Sequence, residues 1–167
     1  MKFKQHSFRF AEQVLNSNLA LKNELLDIIT NLNPKKEELS RPNLNKIFDE
    51  KFTEKGWKDQ PVIFENVKDP GAKLDFIKNR IGVEIQFGHS SFLGIDLLKF
   101  QTLSYSNPNL DKIDVGVYIV TTKDYQKKLI KKGLKWQGSL TFEKVVRYLP
   151  HFRSAIQVPI FLIGLDD

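Results

Sequence analysis

The sequence predicts an α/β fold in which helices flank a mixed central β-sheet. Apolar residues with helical spacing and short strand-like runs follow one another in the order α, α, β, β, β, α, β, α, α, β. Two of these runs meet at Asn79-Arg80, which we interpret as the centre of an antiparallel hairpin. The segment Val115–Val120 is almost continuously apolar and rich in β-branched residues, as expected for an interior strand covered on both faces.

The composition is that of a single globular domain, which we expect to span residues 1–167. The absence of cysteine excludes disulfides and thiolate metal sites. No apolar run approaches the roughly 18 residues of a membrane span, and we expect no signal peptide because no apolar segment follows the basic residues of Met1–Phe10. A net charge of +6 and a pI near 9.4 favour an anionic partner, nucleic acid first.

The N-terminal part, residues 1–57, is predicted to consist of helices. Apolar residues in Phe8–Leu32 recur at three- and four-residue steps, which indicates one long helix with a polar interruption around Ser17. Ser40 or Asn43 can cap a second helix, and the glycine that follows it before Trp57 is a natural stop.

The central part, residues 58–122, is predicted to form the core of the fold. Pro61–Asn66 has the composition of a strand, and Asp69–Gly71 is a strong turn signal. After the hairpin, Ser90 or Ser91 can cap a helix. The apolar positions that we assign to this helix are Phe92, Ile95, Leu98 and Leu103.

The C-terminal part, residues 123–167, is predicted to contain basic helices and a final strand, Val158–Leu165. The helix expected over Thr121–Lys132 carries four lysines on one side: Lys127, Lys128, Lys131 and Lys132. Such a cluster is ordinarily a solvated helix face, but the same residues could contact DNA phosphates. Trp136, among further lysines, is either a base-contacting residue or a core anchor.

The hairpin contains the strongest candidate site. With its turn at Asn79-Arg80, Asp75 lies opposite Glu84, and the strand period of two places Gln86 on the same face. The other face of the hairpin is apolar, with Leu74, Phe76, Val83, Ile85 and Phe87. One hairpin therefore presents two carboxylates and an amide side by side.

Two facing carboxylates repel one another, and a bound proton or a divalent cation between them relieves the repulsion. Mg²⁺ prefers hard oxygen ligands and commonly uses one or two carboxylates together with water and phosphate oxygens. The alternative is that Asp75, Glu84 and Gln86 are the solvent face of a half-buried hairpin. The sequence contains no P-loop, G-x-G-x-x-G, H-E-x-x-H or G-x-S-x-G motif, and its three histidines are scattered.

The order of motifs resembles a known nuclease core. The arrangement strand–LDF–turn–RIGVEIQFG–helix–IDLLKFQ–strand–GVYIVT is similar to the PD-(D/E)xK core of type II restriction endonucleases, and the E-x-Q variant resembles the BglII-like branch. The segments FTEKGW and FEKVVRYL…VPIFLIGL also resemble that branch, so the likeness extends from Leu44 to the C-terminus. One departure is Leu74, which stands where the motif has proline.

The resemblance implies a Mg²⁺-dependent, sequence-specific endonuclease that cuts double-stranded DNA and leaves 5′-phosphates. Asp75 and Glu84 would bind the Mg²⁺ ion together with the backbone carbonyl of Ile85. Gln86 stands where the usual lysine is, and it would orient the attacking water because an amide cannot act as a base. The resemblance further implies a homodimer that acts in the cytoplasm of a prokaryote.

We expect DNA phosphate contacts from the helix after the hairpin and from the basic C-terminal part. The candidates are Lys99, Lys127, Lys128, Lys131, Lys132 and Lys135. Two alternatives remain open at this level. One is a structure-specific repair or junction nuclease with the same core, and the other is a catalytically degenerate basic DNA-binding module.

Overall fold

The computed structural model describes residues 1–63, 73–105 and 111–167. The strands in these ranges are β1 (Lys2–Phe8), β2 (Lys58–Asp59), β3 (Phe76–Lys78), β4 (Ile81–Ile85), β5 (Val115–Thr121) and β6 (Ile160–Asp166). The helices are α1 (Ala11–Asn16), α2 (Leu19–Thr30), α3 (Arg41–Glu54), α4 (Leu93–Ser104), α5 (Lys123–Lys131) and α6 (Phe142–Tyr148). Short 3₁₀ turns occur at Lys36–Glu38, Ser90–Phe92 and Leu149–Phe152.

The strands form one mixed sheet in the order β1-β6-β5-β4-β3-β2. Strands β4, β5 and β6 run parallel, whereas β1, β3 and β2 are antiparallel to their neighbours. The predicted α/β class with a mixed, helix-flanked sheet is therefore confirmed. No helix in the described ranges is long and apolar enough to cross a membrane.

Each face of the sheet carries its own apolar cluster. Helices α2, α3 and α5 cover one face, and α4 and α6 cover the other. In β5, Val117 packs with the first cluster and Tyr118 with the second, and β6 alternates in the same way. Strands buried on both faces need apolar residues at every position, which explains their continuous apolar runs.

The hairpin has the predicted register. The paired residues are Phe76 with Val83, Ile77 with Gly82, and Lys78 with Ile81. Asn79 and Arg80 form a two-residue loop in which φ is 44° and 66°, respectively. Positive φ at both loop residues is the geometry whose twist matches antiparallel strands, so this turn fixes the register that places Asp75 and Glu84 across from each other.

The prediction of one helix over Phe8–Leu32 is wrong in two places. Residues up to Phe8 form β1, which pairs with β6 at the edge of the sheet, so the N-terminal part is not purely helical. The helical segment is also divided, because Asn18 caps α2 by accepting a hydrogen bond from the backbone N–H of Leu21. Phe10, which falls within the predicted helix, is 76% exposed and adopts a left-handed conformation between β1 and α1.

The prediction of the second helix is confirmed, whereas half of the predicted strand that follows it lies outside the described ranges. Helix α3 begins after its cap Ser40, as predicted, and the chain leaves it at Gly56, whose φ is +73°. In Pro61–Asn66, the residues after Ile63 lie outside the described ranges, as does the predicted turn Asp69–Gly71. The described part of that segment makes only an isolated bridge from Val62.

The buried face of α4 differs from the predicted one. Leu103 is buried as predicted, but Phe92, Ile95 and Leu98 are exposed by 50%, 40% and 49%. The buried stripe is completed instead by Leu93, Leu97 and Phe100. The sequence is apolar on both sides of this helix, so periodicity alone does not choose between them. Tertiary packing decides, because Phe100 lies against Gly116 of β5, where a Cβ atom would be only 2.6 Å from the ring.

Candidate active site

The two hairpin carboxylates, Asp75 and Glu84, lie close together at the C-terminal end of β4. Asp75 lies just before β3, and its Oδ2 accepts a hydrogen bond from the backbone N–H of Ile85 at 2.6 Å. This bond brings Asp75 beside Glu84 on one face of the hairpin. Leu74 does not join the apolar face of Phe76 and Val83 as predicted; it packs in the opposite cluster, because the strand alternation ends at Phe76.

Glu84 is 3% exposed and has one unsatisfied oxygen. Its Oε1 accepts a hydrogen bond from the ammonium group of Lys99 at 2.5 Å, whereas its Oε2 has no hydrogen-bond partner. Burial, followed by the charges of Asp75 and Asp96, raises the pKa of Glu84 well above its usual range. A buried carboxylate oxygen without a donor is costly, and this cost indicates a site that a cation would complete.

The pKa of Asp75 is raised as well. Burial raises the pKa of Asp75 from its usual 3.8 to about 6, although the N–H of Ile85 and the charge of Lys99 oppose the increase. The charges of Asp96 and Asp49 add to it. The site therefore holds more negative charge than its protein cations neutralise.

Gln86 is fixed at both ends of its amide. Its Nε2 donates to Oδ2 of Asp96 at 2.9 Å, and its Oε1 accepts from the backbone N–H of Gly88 at 2.7 Å. Gly88 permits this contact, because a Cβ atom there would lie 2.6 Å from the Gln86 oxygen. The side chain is therefore held beside Glu84 in a defined orientation.

Helix α4 supplies two charged residues to the site from its buried face. Asp96 is 1% exposed and accepts hydrogen bonds from Gln86 and from the hydroxyl of Tyr118, the latter at 2.7 Å. Lys99 is 8% exposed, and its ammonium group lies 3.4 Å from Oδ1 of Asp96. Although burial opposes the charged form, Glu84 and Asp96 raise the pKa of Lys99, so the ammonium stays charged.

Sequence reasoning missed Asp96 and Tyr118 and assigned Lys99 to DNA phosphate. In the structure Lys99 pairs with Glu84, so it would have to leave this carboxylate to contact DNA phosphate. The sequence carries a signal for Asp96 only, on one of the two apolar sides of α4 between which periodicity does not choose. The spacing of Leu93, Leu97 and Phe100 defines an apolar stripe that includes Asp96, and a carboxylate on such a stripe indicates a buried polar site.

A basic groove begins beside the site. The segment around Gly138 pairs with the residues that follow Gln86: Ser90 N–H donates to the carbonyl of Gly138, and Leu140 N–H donates to the carbonyl of Gly88. From there a groove of about 350 Å³ runs between α5 and α6. Its basic lining residues are Lys123, Lys127, Lys144 and Arg147, of which only Lys127 was predicted.

The other predicted lysines do not line this groove. Lys128 pairs with Asp167 at 3.3 Å, and Lys131, Lys132 and Lys135 are exposed. Trp136 is fully buried and donates from its indole N–H to the carbonyl of Leu39, so its place is that of a core anchor.

Comparison with known proteins decides the family. The family model described as restriction endonuclease BglII/BglIII matches residues 3–165. The chain belongs to this family. It is therefore a type II site-specific deoxyribonuclease, and the resemblance seen in the hairpin motif is confirmed.

Solved structures of BglII are similar to this family member over its whole length. The crystal structure of BglII complexed with a DNA 16-mer has a TM-score of 0.81 and 20% sequence identity, with 100% of this chain and 79% of that chain covered. Free BglII has a TM-score of 0.72 and 19% identity, with 100% and 80% covered. The comparison with curated protein sequences gave no match.

Restriction endonucleases typically use a divalent metal ion, and the BglII-family site here fits one. The described ranges contain no group of three or more His, Asp or Glu side chains that could hold a metal. Asp75, Glu84 and the Ile85 carbonyl nevertheless offer hard oxygen donors, and Mg²⁺ needs only one or two carboxylates when water and phosphate complete its shell. The unsatisfied Oε2 of Glu84 is the observation that supports the fit.

The raised pKa of Asp75 predicts how the stability of the metal-free enzyme depends on pH. Between pH 3.8 and about 6 the folded state retains a proton that the unfolded state releases, so this group's contribution to stability falls as pH rises through that window. Asp75→Asn should therefore increase the free energy of unfolding at pH 7 by about 1–3 kcal/mol and have little effect near pH 4. Urea denaturation in EDTA measures this difference.

Asp114→Asn is the control of opposite sign. The guanidinium of Arg80 lowers the pKa of Asp114, so this pair stabilises the fold above the usual carboxyl pKa and loses its effect as pH falls. The control variant should be slightly less stable than wild type at pH 7. A stability difference between wild type and Asp75→Asn that stays constant from pH 4 to 7 would contradict the prediction.

Proposed function

We propose that this enzyme hydrolyses phosphodiester bonds of double-stranded DNA at specific sequences, requires Mg²⁺ and leaves 5′-phosphates. The observation that carries the proposal is the buried oxygen of Glu84 that lacks a donor, next to the second carboxylate of Asp75. The family supports the nuclease activity, and the DNA in the similar BglII complex supports a duplex substrate. Action in a prokaryotic cytoplasm is part of the same proposal.

Asp75, Glu84 and the carbonyl of Ile85 would hold the Mg²⁺ ion. When bound, Mg²⁺ lowers the pKa of water and neutralises charge that develops on the scissile phosphate. Gln86 cannot accept a proton as a base, but its amide keeps one N–H and one lone pair beyond its bonds to Asp96 and Gly88. It uses these to orient a water for in-line attack on phosphorus.

The products follow from which bond breaks. The oriented water forms a new P–O bond while the bond between phosphorus and the 3′ oxygen breaks, so the phosphate stays on the 5′ end. A phosphate oxygen of the substrate takes the proton of the attacking water, because Gln86 cannot, and the leaving 3′ oxygen takes a proton from a second water to become the 3′-hydroxyl. The buried carboxylates keep their charge through the reaction and stabilise the cation rather than transfer protons.

The basic groove and the exposed lysines of α5 and of the segment after it are the proposed contacts of the DNA. Lys127 lines the groove, and Lys128, Lys131, Lys132 and Lys135 are exposed. The groove starts at the segment paired with Gly88, immediately after the site. A DNA backbone bound in the groove would therefore continue to the carboxylates of Asp75 and Glu84. Lysine contacts to phosphate give affinity without reading sequence.

We further propose that the enzyme acts as a C2 homodimer through the outer face of α4. Phe92, Ile95 and Leu98 are exposed there, next to an apolar groove of about 200 Å³ that includes Phe152. Contiguous exposed apolar surface marks interaction sites. A second copy is the fitting partner because a palindromic duplex presents two equivalent phosphates related by a two-fold axis.

The first test is cleavage of unmethylated phage and plasmid DNA with Mg²⁺ and with EDTA. Wild type should give discrete bands in Mg²⁺ only, with 5′-phosphate ends. Glu84→Gln should slow cleavage by about a thousand-fold or more, because the neutral amide no longer binds the cation or Lys99 as a carboxylate does. Glu12→Gln, which removes a carboxylate paired with Lys22 elsewhere, is the matched control and should cut normally. Intact DNA, or nicking only at junctions, would contradict the proposal.

The lysine contacts are tested by salt dependence. Lys127→Ala with Lys131→Ala should weaken binding to all DNA sequences alike. Because the proposed dimer loses two phosphate contacts in each protomer, the slope of log K against log salt should fall by about four. Gel-shift titrations with Glu84→Gln protein, which does not cut, measure both effects. Lys46→Ala, an exposed lysine of α3 paired with Glu50, serves as control and should leave the slope unchanged. An unchanged slope in the double variant would exclude these contacts.

The dimer surface is tested by sedimentation equilibrium. Leu98→Lys places a charge in the proposed apolar interface and should weaken dimerisation by about a hundred-fold or more. Leu19→Lys is the matched control, because Leu19 is 58% exposed at the start of α2 and lies outside the surface. A monomeric wild-type protein, or equal dimerisation by both variants, would refute this interface.

A further inference from the structure

The inward face of α4 carries an acid and a base that the proposed reaction does not use directly. Asp96 and Lys99 are 1% and 8% exposed on a face that is otherwise Leu93, Leu97 and Phe100. Burying a charged pair costs more free energy than burying an apolar pair of the same volume. The buried Asp96–Lys99 pair therefore indicates a role other than stabilising the fold.

Lys99 and Asp96 each form a hydrogen bond with a candidate catalytic side chain. Lys99 donates to Oε1 of Glu84 at 2.5 Å, and Asp96 accepts from the Gln86 amide at 2.9 Å. Tyr118 of β5 also donates to Asp96, which holds the aspartate between the sheet and the helix. Helix α4 thus fixes Oε1 of Glu84 and Nε2 of Gln86. Oε2 of Glu84 has no donor among the described residues, and the amide oxygen of Gln86 accepts from the backbone N–H of Gly88.

We infer that Asp96 and Lys99 are positioning residues of the nuclease site: Lys99 turns Glu84 so that its free oxygen binds the cation, and Asp96 sets the Gln86 amide that orients the water. This inference rests on the proposed function. Gln86 is neutral, so β4 itself has no cation beside Glu84. Lys99 supplies a positive charge to the Glu84 carboxylate from α4. A displacement of about 1 Å at a reacting group costs roughly a hundred-fold in rate, so loss of either tether is costly.

Lys99 and Asp96 have opposite charges, so their removal should change the metal affinity of the site in opposite directions. General destabilisation of the fold would not produce this difference. Removing the ammonium of Lys99 leaves Glu84 and Asp75 with more uncompensated negative charge and should increase the attraction for a divalent cation. Removing the charge of Asp96 should decrease that attraction. Both changes untether a catalytic side chain, so both should slow cleavage. A purely structural role would not move the metal affinity in two directions.

The experiment compares Lys99→Met and Asp96→Asn with wild type and with the control Lys22→Met. Lys22 also makes a partly buried ion pair, with Glu12 at 2.9 Å, so its removal reports the general cost of losing an ion pair. Mn²⁺ binding without DNA is measured by electron paramagnetic resonance, and cleavage by kcat and KM. Lys99→Met should bind Mn²⁺ at least about five-fold more tightly and Asp96→Asn at least about five-fold more weakly. Both should lower kcat by about a hundred-fold with KM within about three-fold.

Tyr118→Phe keeps the inference testable if the charge variants do not fold. It removes only the hydroxyl that donates to Asp96 and leaves a ring against Phe100. Its kcat should fall by about ten-fold with unchanged Mn²⁺ affinity, because one of the bonds that hold Asp96 is lost. A kcat within two-fold of wild type would overturn the inference, as would metal affinities that shift in the same direction in the two charge variants.

Failure of the proposed function gives a different result. A wild-type protein that binds Mn²⁺ but does not cut DNA would refute the nuclease proposal, whereas the opposite shifts of Mn²⁺ affinity would still support the tethering of Glu84 and Gln86. A wild-type protein that cuts DNA, with charge variants that cut equally well, would refute the positioning role alone.

Discussion

The ion pair between Lys99 and Glu84 is the interaction on which the site depends. It joins α4 to β4 in a region where Glu84 is almost fully removed from water. Without the ammonium, three carboxylates would share a buried volume with no counter-charge, which no fold tolerates cheaply. With it, the site is compensated only in part, and the remaining negative charge of Asp75 and Glu84 is what a cation can neutralise.

Close packing of helices on the sheet makes this pair possible. On the face that carries Glu84, glycines stand where larger side chains approach the strands. A Cβ atom at Gly116 or Gly164 would lie 2.6 Å from the ring of Phe100 or Phe142, respectively. These glycines let α4 and α6 lie close to the central strands, and from α4 the Lys99 side chain contacts the carboxylate of Glu84 in β4.

Helix α4 has a different role on each side. Its inner face combines apolar packing with the Asp96–Lys99 pair, and its outer face exposes Phe92, Ile95 and Leu98. A helix that is apolar around most of its circumference is suited to lie between two packed surfaces. If the outer face binds a second copy, the same helix that orders one active site also sets its distance from the other.

The sequence by itself determined the hairpin, because its register depends on a two-residue turn and on strand alternation over a few neighbours. That local pattern was sufficient to pair Asp75 with Glu84 and to indicate the family. Tertiary structure alone decided which side of α4 is buried, since both sides are apolar and only the packing of Phe100 on the sheet distinguishes them. It also decided that Lys99 points inward, and that the N-terminal segment forms β1, whose partner β6 lies at the other end of the chain. Such long-range contacts leave no periodic mark in the sequence near the residues that make them.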